Sequence, residues 1–183
     1  MPREIVLSRA SLILAVACSS PTLPPPGSGG GLITTESRAY SAVVTPTSVS
    51  VTVVAKFNNT TSDKLTLHPC FQQPPYPLAV SLQRYEDGEW HTVLSPVCTL
   101  ALMLNPPRLS PGETRTDTVH LEGFRAANWY PKFPPGRVAG LYRLVYSDIY
   151  RTWNEDHNGT PVGALGDPIP APLLVSDPFR VDE

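Results

Sequence analysis

Residues 49–57 read VSVTVVAKF, and this stretch decides the fold class. Every second residue from position 49 is apolar, and most of the residues between them are polar. The apolar positions are Val49, Val51, Val53, Ala55 and Phe57. Because successive side chains of a strand point to opposite faces, this period of two predicts a β-strand with one buried face.

The distribution of proline extends this interpretation to the rest of the chain. The 183 residues include 22 prolines, and proline disrupts helix interiors and central strands. The stretches 49–57, 78–85, 113–122 and 138–153 contain no proline and have strand-like sequences. The prolines lie between these stretches, which predicts an all-β chain in which proline marks the connections.

Two short segments have the residues of tight turns. The sequence EDGE at 86–89 predicts a hairpin in which Gly88 adopts a positive φ. The sequence LSPGE at 109–113 predicts a type II turn, with proline at the second turn position and glycine at the third. Residues 97–104 (VCTLALML) are either a buried strand or a connecting segment. Further strands are predicted at 64–68, 78–83, 90–94, 114–121, 138–150 and 173–181.

About seven to eight turn-separated strands predict a β-sandwich or a barrel. An immunoglobulin-like antiparallel β-sandwich is favoured, because the aromatic strands near Trp90 and Tyr142 could pack around a disulfide between its two sheets. The strand 138–150 should be about 40 Å long if it is straight. Because sandwich loops cluster at the two ends, loops 122–137 and 151–171 are then expected at opposite poles.

Residues 1–17 are predicted to be an export signal. Arg3 and Arg9 give a positive start, and residues 10–17 (ASLILAVA) form an apolar run. That run is too short for a membrane span, which needs about 20 residues. The following junction, AVAC at 15–18, is similar to the bacterial lipobox, in which the cysteine is lipidated and becomes the first mature residue. A plain secretory cut after Ala17 is the alternative.

Behind this junction, residues 18–38 are predicted to be the lipidated Cys18 and a tether, since residues 19–31 read SSPTLPPPGSGGG. The sandwich domain is then expected at 39–183. Lipidation of Cys18 would leave two of the three cysteines, Cys70 and Cys98. An even pair in an oxidising compartment predicts a disulfide.

Three segments resemble the bacterial immunoglobulin-like domains found on many exported lipoproteins. They are DGEW at 87–90, LSPGET at 109–114 and AGLYRL at 139–144. The resemblance covers roughly residues 45–182. It implies that Gly112 serves a turn and that the strand of Tyr142 is part of the core. Such motifs specify a fold and are almost silent on function.

One long loop carries a candidate ligand-binding surface. Residues 123–137 (GFRAANWYPKFPPGR) combine aromatic and basic side chains, which is typical of binding loops. The candidate ligand-binding residues are Trp129, Tyr130 and Phe133. The alternative is that these rings cover the open end of the sandwich.

No enzyme motif is found, so no catalytic residue and no cofactor are predicted. The four histidines lie on separate segments without paired spacing, so no metal site is predicted. Residues 154–159 (NEDHNG) have the oxygen spacing that begins a calcium loop, but the twelfth position is Leu165 instead of glutamate. A polar turn is the alternative. Asn58, Asn59 and Asn158 match the glycosylation pattern and are interpreted as markers of surface turns.

These features predict a class of protein without naming its ligand. We expect an exported lipoprotein, lipid-anchored in the bacterial cell envelope, with a non-catalytic immunoglobulin-like binding or structural module. Ser19 in place of aspartate leans towards the outer membrane. The expected partners are the membrane, through the N-terminal lipid, and a protein or glycan ligand. The net charge of −2 argues against nucleic acid. An inhibitor of an exported protease is the alternative function.

Overall fold

The structure, a computed structural model, describes residues 31–70, 78–95, 98, 106–124, 138–151, 153–155 and 161–183, with the backbone alone described at 124, 153–155 and 161–165. These residues form thirteen short strands and one 3₁₀ helix. The first strands are β1 Ile33–Thr35, β2 Ala39–Val44, β3 Ser48–Asn58, β4 Leu65–Leu67, β5 Val80–Glu86, β6 Glu89–Leu94 and β7 Arg108–Leu109. The remaining elements are β8 Thr114–Phe124, β9 Gly140–Tyr146, β10 Ile149–Tyr150, β11 Trp153–Glu155, β12 Pro161–Leu165, the 3₁₀ helix Ala171–Leu174 and β13 Phe179–Asp182.

The predicted all-β sandwich is confirmed. One layer contains β8, β3 and β1, and the other contains β13, β9, β5 and β6. Strand β2 connects the layers, because its first half pairs with β13 and its second half pairs with β3. The pairing of β2 with β13 is parallel, so the sheet is mixed and not purely antiparallel. Smaller sheets are formed by β10, β4 and β7 and by the β11–β12 hairpin.

The core lies between the two layers and follows the alternation of the strands. The five apolar positions of the 49–57 stretch are all buried. Across the core, the rings of Phe57 on β3 and Tyr146 on β9 meet edge to face at 6.3 Å between centroids. Tyr142 and Leu144 of β9 and Leu82 of β5 are completely buried in the same cluster. Burial of these apolar side chains is the main force that holds the layers together.

Both predicted turns are present. At the β5–β6 hairpin, Asp87 and Gly88 have φ values of 51° and 90°, the pair of positive angles that suits the twist of two joined strands. Between β7 and β8, Gly112 has a φ of 77°, and the Glu113 amide donates to the Ser110 carbonyl at 3.0 Å. These turns fix the registers of the strands beside them.

The prediction of one straight strand over 138–150 is wrong. Strand β9 ends at Tyr146, Asp148 has a φ of 60°, and the chain continues as β10 in a different sheet. The Ser147 amide donates to the Ala79 carbonyl, and the Asp148 carbonyl accepts from the His68 amide, so the bend is held by hydrogen bonds. The expectation that the two loops lie at opposite poles depended on a straight strand, so the bend removes the basis for it.

The folded part begins earlier than residue 39. Leu32 and Ile33 are buried, at 1% and 2% exposure, and β1 pairs with the end of β3. Residues 32–38, which were predicted to be part of the tether, therefore belong to the sandwich.

Two further expectations also need correction. The strand predicted at 173–181 is shorter than expected, because Ala171–Leu174 form a 3₁₀ helix with Pro172 in its first turn and β13 begins only at Phe179. Asn59 is not on the surface, since its side chain is buried and donates to the carbonyls of Asp63 and Leu109 at 2.8 and 3.0 Å. Its own Oδ1 accepts from Thr61, so Asn59 organises the connection between β3 and β4.

Candidate functional site

The outer face of β5, β6 and β9 carries a group of aromatic and polar side chains that contact one another. Since Leu82 and Leu144 point into the core, their neighbours along each strand point to solvent. The residues on this face are Gln83, Tyr85, Trp90, Thr92 and Arg143, which we call the outer-face cluster.

The hairpin brings the two aromatic rings of this cluster together. Tyr85 and Trp90 are cross-strand partners beside the turn at Asp87 and Gly88. Their ring centroids lie 5.1 Å apart with an interplanar angle of 54°. Tyr85 is one of the two large hydrophobic side chains that are exposed in the described structure, at 38%. The turn therefore fixes an aromatic pair on a solvent-facing surface.

A cation completes the cluster. The guanidinium carbon of Arg143 lies 4.3 Å from the centroid of the Trp90 ring, within the range of a cation–π contact. The Arg143 Nε donates to the Gln83 Oε1 at 2.8 Å, and the Gln83 Nε2 donates to the Thr92 Oγ1 at 3.2 Å. Partial burial lowers the pKa of the Arg143 guanidinium. The side chains hold one another in place.

On the inner side of the same strands lies a polar group at the start of β9. Arg84 Nε lies 3.0 Å from Glu86 Oε1, and its guanidinium carbon lies 5.8 Å from the centroid of the Tyr142 ring. The Tyr142 hydroxyl donates to the Val138 carbonyl, and burial raises the pKa of Tyr142. A Cβ at Gly140 would lie 3.1 Å from Arg84 Nε, so this position favours glycine.

The C-terminal end of the sequence also holds the start of β9. The Glu183 carboxylate accepts hydrogen bonds from the amides of Val138 and Ala139. These contacts join the end of β13 to the segment that precedes β9. We regard Glu183, Arg84 and Tyr142 as structural residues, because their polar groups contact other parts of this chain.

The predicted disulfide is confirmed, with a Cα–Cα distance of 4.6 Å between Cys70 and Cys98. The strands of Trp90 and Tyr142 were expected to pack around this bond, but their two rings lie on opposite faces of the sheet. Tyr142 is buried in the core, and Trp90 packs on Tyr85 and Arg143 on the outer face. The alternation of β6 explains this, since Trp90 pairs with Tyr85 and not with a buried residue.

Several predicted site residues lie outside the described part of the chain. These are Cys18 and the loop residues Trp129, Tyr130 and Phe133. Of the 154–159 segment, only the backbone of Asn154 and Glu155 is described, as part of β11. Their roles stay predictions from the sequence.

The described histidines lie apart. His68 is buried, His91 lies on β6, and the His120 Nδ1 is 3.0 Å from the Thr52 Oγ1 on the outer face of the other layer. Among the described residues, no group of three histidine, cysteine, aspartate or glutamate side chains is placed to hold a metal ion. The same residues include no helix that is long and apolar enough to cross a membrane.

The chain matches no protein-family model, and no match is found among curated proteins. The outer-face cluster was not predicted as a site from the sequence. One signal was available in the two-residue turn at 87–88, because the second residue pair beyond it, Tyr85 and Trp90, had to be cross-strand neighbours. The contribution of Arg143 was not accessible in this way, since it depends on the pairing of β5 with β9.

Proposed function

We propose that this protein is an exported lipoprotein, anchored in the bacterial cell envelope through Cys18, whose β-sandwich is a non-catalytic binding module. The anchor is supported by the apolar run at 10–17 and the AVAC junction that follows it. The Cys70–Cys98 disulfide adds support, since such bonds persist in oxidising compartments.

The observation that carries the binding role is the outer-face cluster. Tryptophan, tyrosine and arginine are the residue types that dominate binding energy at interfaces. Here Tyr85, Trp90 and Arg143 lie side by side on one accessible sheet face and are fixed by mutual contacts. A surface that is already ordered loses less conformational entropy when a ligand binds. We propose that it contacts a protein or glycan of the envelope.

The loop residues Trp129, Tyr130 and Phe133 are a second proposed contact surface, based on the sequence alone. The two surfaces can be separated by substitution. Trp90→Ala should weaken ligand binding if the outer-face cluster is used, and Trp129→Ala should weaken it if the loop is used.

The anchor is tested by mass spectrometry of the full-length protein isolated from membranes. We expect a mature N-terminus at Cys18 that carries lipid, and Cys18→Ser should abolish the modification. An unmodified Cys18 in the native protein would contradict the anchor.

The binding role is tested by site-specific photocrosslinking in intact cells. A photoreactive residue at Thr92, within the outer-face cluster, should give discrete adducts that Trp90→Ala removes. The same probe at Thr118, on the outer face of the other layer, is the matched control.

Adducts sensitive to added protease indicate a protein ligand, and adducts sensitive to glycan hydrolysis indicate a glycan. The absence of adducts at Thr92, or equal adducts at both positions, would count against the cluster. Stoichiometric capture of a protease would favour the inhibitor function instead.

A further inference from the structure

Strand β8 is a long edge strand. All eleven of its residues, from Thr114 to Phe124, pair with β3, and no other described strand pairs with it. The side of β8 away from β3 therefore presents backbone N–H and C=O groups in the geometry of a ladder. Such an edge is a template on which a second copy of the chain can pair.

The residues of β8 that point inward are not all apolar. Arg115 pairs opposite Phe57, and Asp117 pairs opposite Ala55, both of which are buried on the inner face of β3. Because directly opposed residues share a face, the side chains of Arg115 and Asp117 also point towards the core. Their Nε and Oδ1 atoms lie 2.7 Å apart, and the side chains are 20% and 15% exposed.

The remaining exposure of this ion pair is at the rim of the sandwich, since β8 is an edge strand. A second β8 added antiparallel to the first would turn the edge into the middle of a wider sheet. If the pairing were centred on Thr118, Asp117 would face Val119 of the other copy and Arg115 would face Leu121. The ion pair would then lose its residual contact with water among apolar neighbours, which is unfavourable for charged groups.

We propose that the inward-facing pair Arg115–Asp117 keeps the edge of β8 from pairing with a second copy of this chain. At the rim the desolvation cost of the two charged groups is small, because part of each side chain still contacts water. In the middle of a joined sheet that contact would be lost, and the desolvation cost would be much larger. The neighbouring outward residues Thr116 and Thr118 do not provide this protection, because their side chains would stay in solvent in either arrangement. This role is independent of the proposed ligand surface, which lies on the other layer.

The test replaces the pair by apolar residues that favour strands. The variant Arg115→Val/Asp117→Val keeps the strand sequence otherwise unchanged, and Thr116→Val/Thr118→Val is the matched control with two apolar residues on the outward side. Both are made in the full-length chain that carries Cys18→Ser and are measured by light scattering in a non-ionic detergent. We expect the inward variant to have a dimer dissociation constant at least about tenfold below that of the parent and of the control.

Hydrogen exchange then locates the contact. The amides of β8 should exchange more slowly in the dimer of the inward variant than in the monomeric parent. A variant that stays as monomeric as the parent, a control that associates equally, or a dimer with unchanged exchange in β8 would each overturn the proposal. If the valine variant fails to fold, Arg115→Thr/Asp117→Thr replaces it with the same expected association. The reversed pair Arg115→Asp/Asp117→Arg should remain monomeric.

Discussion

The edge strands β8 and β6 close opposite layers of the sandwich by different means. Strand β8 is eleven residues long, pairs with β3 throughout, and carries the inward ion pair Arg115–Asp117. Strand β6 has six residues and is held by its hairpin with β5. Four residues beyond its end at Leu94, the chain is bonded through Cys98 to Cys70.

The two edge strands are therefore held in place by different interactions. On the β8 side, a long backbone ladder fixes the strand, and charge is placed where it opposes further pairing. On the β6 side, a covalent bond and the contacts of Trp90 with Tyr85 and Arg143 fix a short strand. Substitutions should therefore act through chain entropy and packing on the β6 side, and through electrostatics on the β8 side.

The largest effect is expected on the β6 side, from loss of the disulfide. Cys70→Ser/Cys98→Ser opens a loop with a sequence separation of 28. The chain-entropy model gives a decrease in the free energy of unfolding of about 3–4 kcal/mol. Urea unfolding followed by tryptophan fluorescence measures it, and reduction of the parent protein should give the same loss. A decrease below about 1 kcal/mol would show that the bond does not constrain the unfolded chain in this way.

On the β8 side, Arg115→Ala is expected to have the next largest effect. It removes the partner of Asp117, whose Oδ2 is buried without a hydrogen bond in the described structure. Leaving this carboxylate unpaired should decrease the free energy of unfolding by about 2–3 kcal/mol.

The double variant Arg115→Ala/Asp117→Ala is the control, because it leaves no unpaired charge. It should be more stable than Arg115→Ala in the same urea experiment. If the double variant is instead less stable than the single one, the pair acts through packing of its side chains and not through charge.

The sequence was sufficient to predict the elements in which local signals agree. The alternation of residues 49–57 gave β3 and its buried face, and the glycines at 88 and 112 gave both turns. Each of these depends on neighbours along the chain, so the information is local.

The features that could not be predicted depend on pairing between distant segments. The bend at Ser147–Asp148 is held by carbonyl and amide groups of Ala79 and His68, and nothing in the local sequence requires it. The outer-face cluster is completed by Arg143, which is far from Trp90 in sequence. Arg115 and Asp117 alternate with threonines in a stretch that is polar on both faces, so the direction of their side chains became clear only from the register with β3.

A smaller, pH-dependent effect is expected under the β8 edge at Tyr146. Burial, and then the negative charge of Asp117, raise the pKa of this tyrosine above its ordinary value, while the positive charge of Arg115 lowers it. Because the folded pKa lies above the unfolded one, the contribution of Tyr146 to stability is fully present below pH 10 and is lost as the pH rises beyond it. The loss should therefore increase between pH 10 and pH 11.

Tyr146→Phe isolates this contribution. The hydroxyl is buried without a hydrogen-bond partner among the described residues, so its removal should cost little at pH 7. Urea unfolding at pH 7, 10 and 11 should then show a smaller loss for the variant than for the parent. Equal losses would mean that other groups, including Tyr142 and Tyr150, whose pKa values burial also raises, account for the alkaline instability.

The smallest change in the free energy of unfolding is expected from substitutions on the two outer faces, which can be compared directly. Trp90→Ala removes the aromatic pair with Tyr85 and the cation–π contact with Arg143, which should lower the free energy of unfolding by about 1 kcal/mol. Thr118→Ala, on the outer face of β8, should change it by less than about 0.5 kcal/mol.

A double-mutant cycle of Trp90→Ala with Arg143→Ala should give a coupling of about 0.5 kcal/mol, which assigns part of the loss to the cation–π contact. Coupling near zero, together with equal effects of Trp90→Ala and Thr118→Ala, would mean that the cluster adds nothing to the stability of the β6 edge.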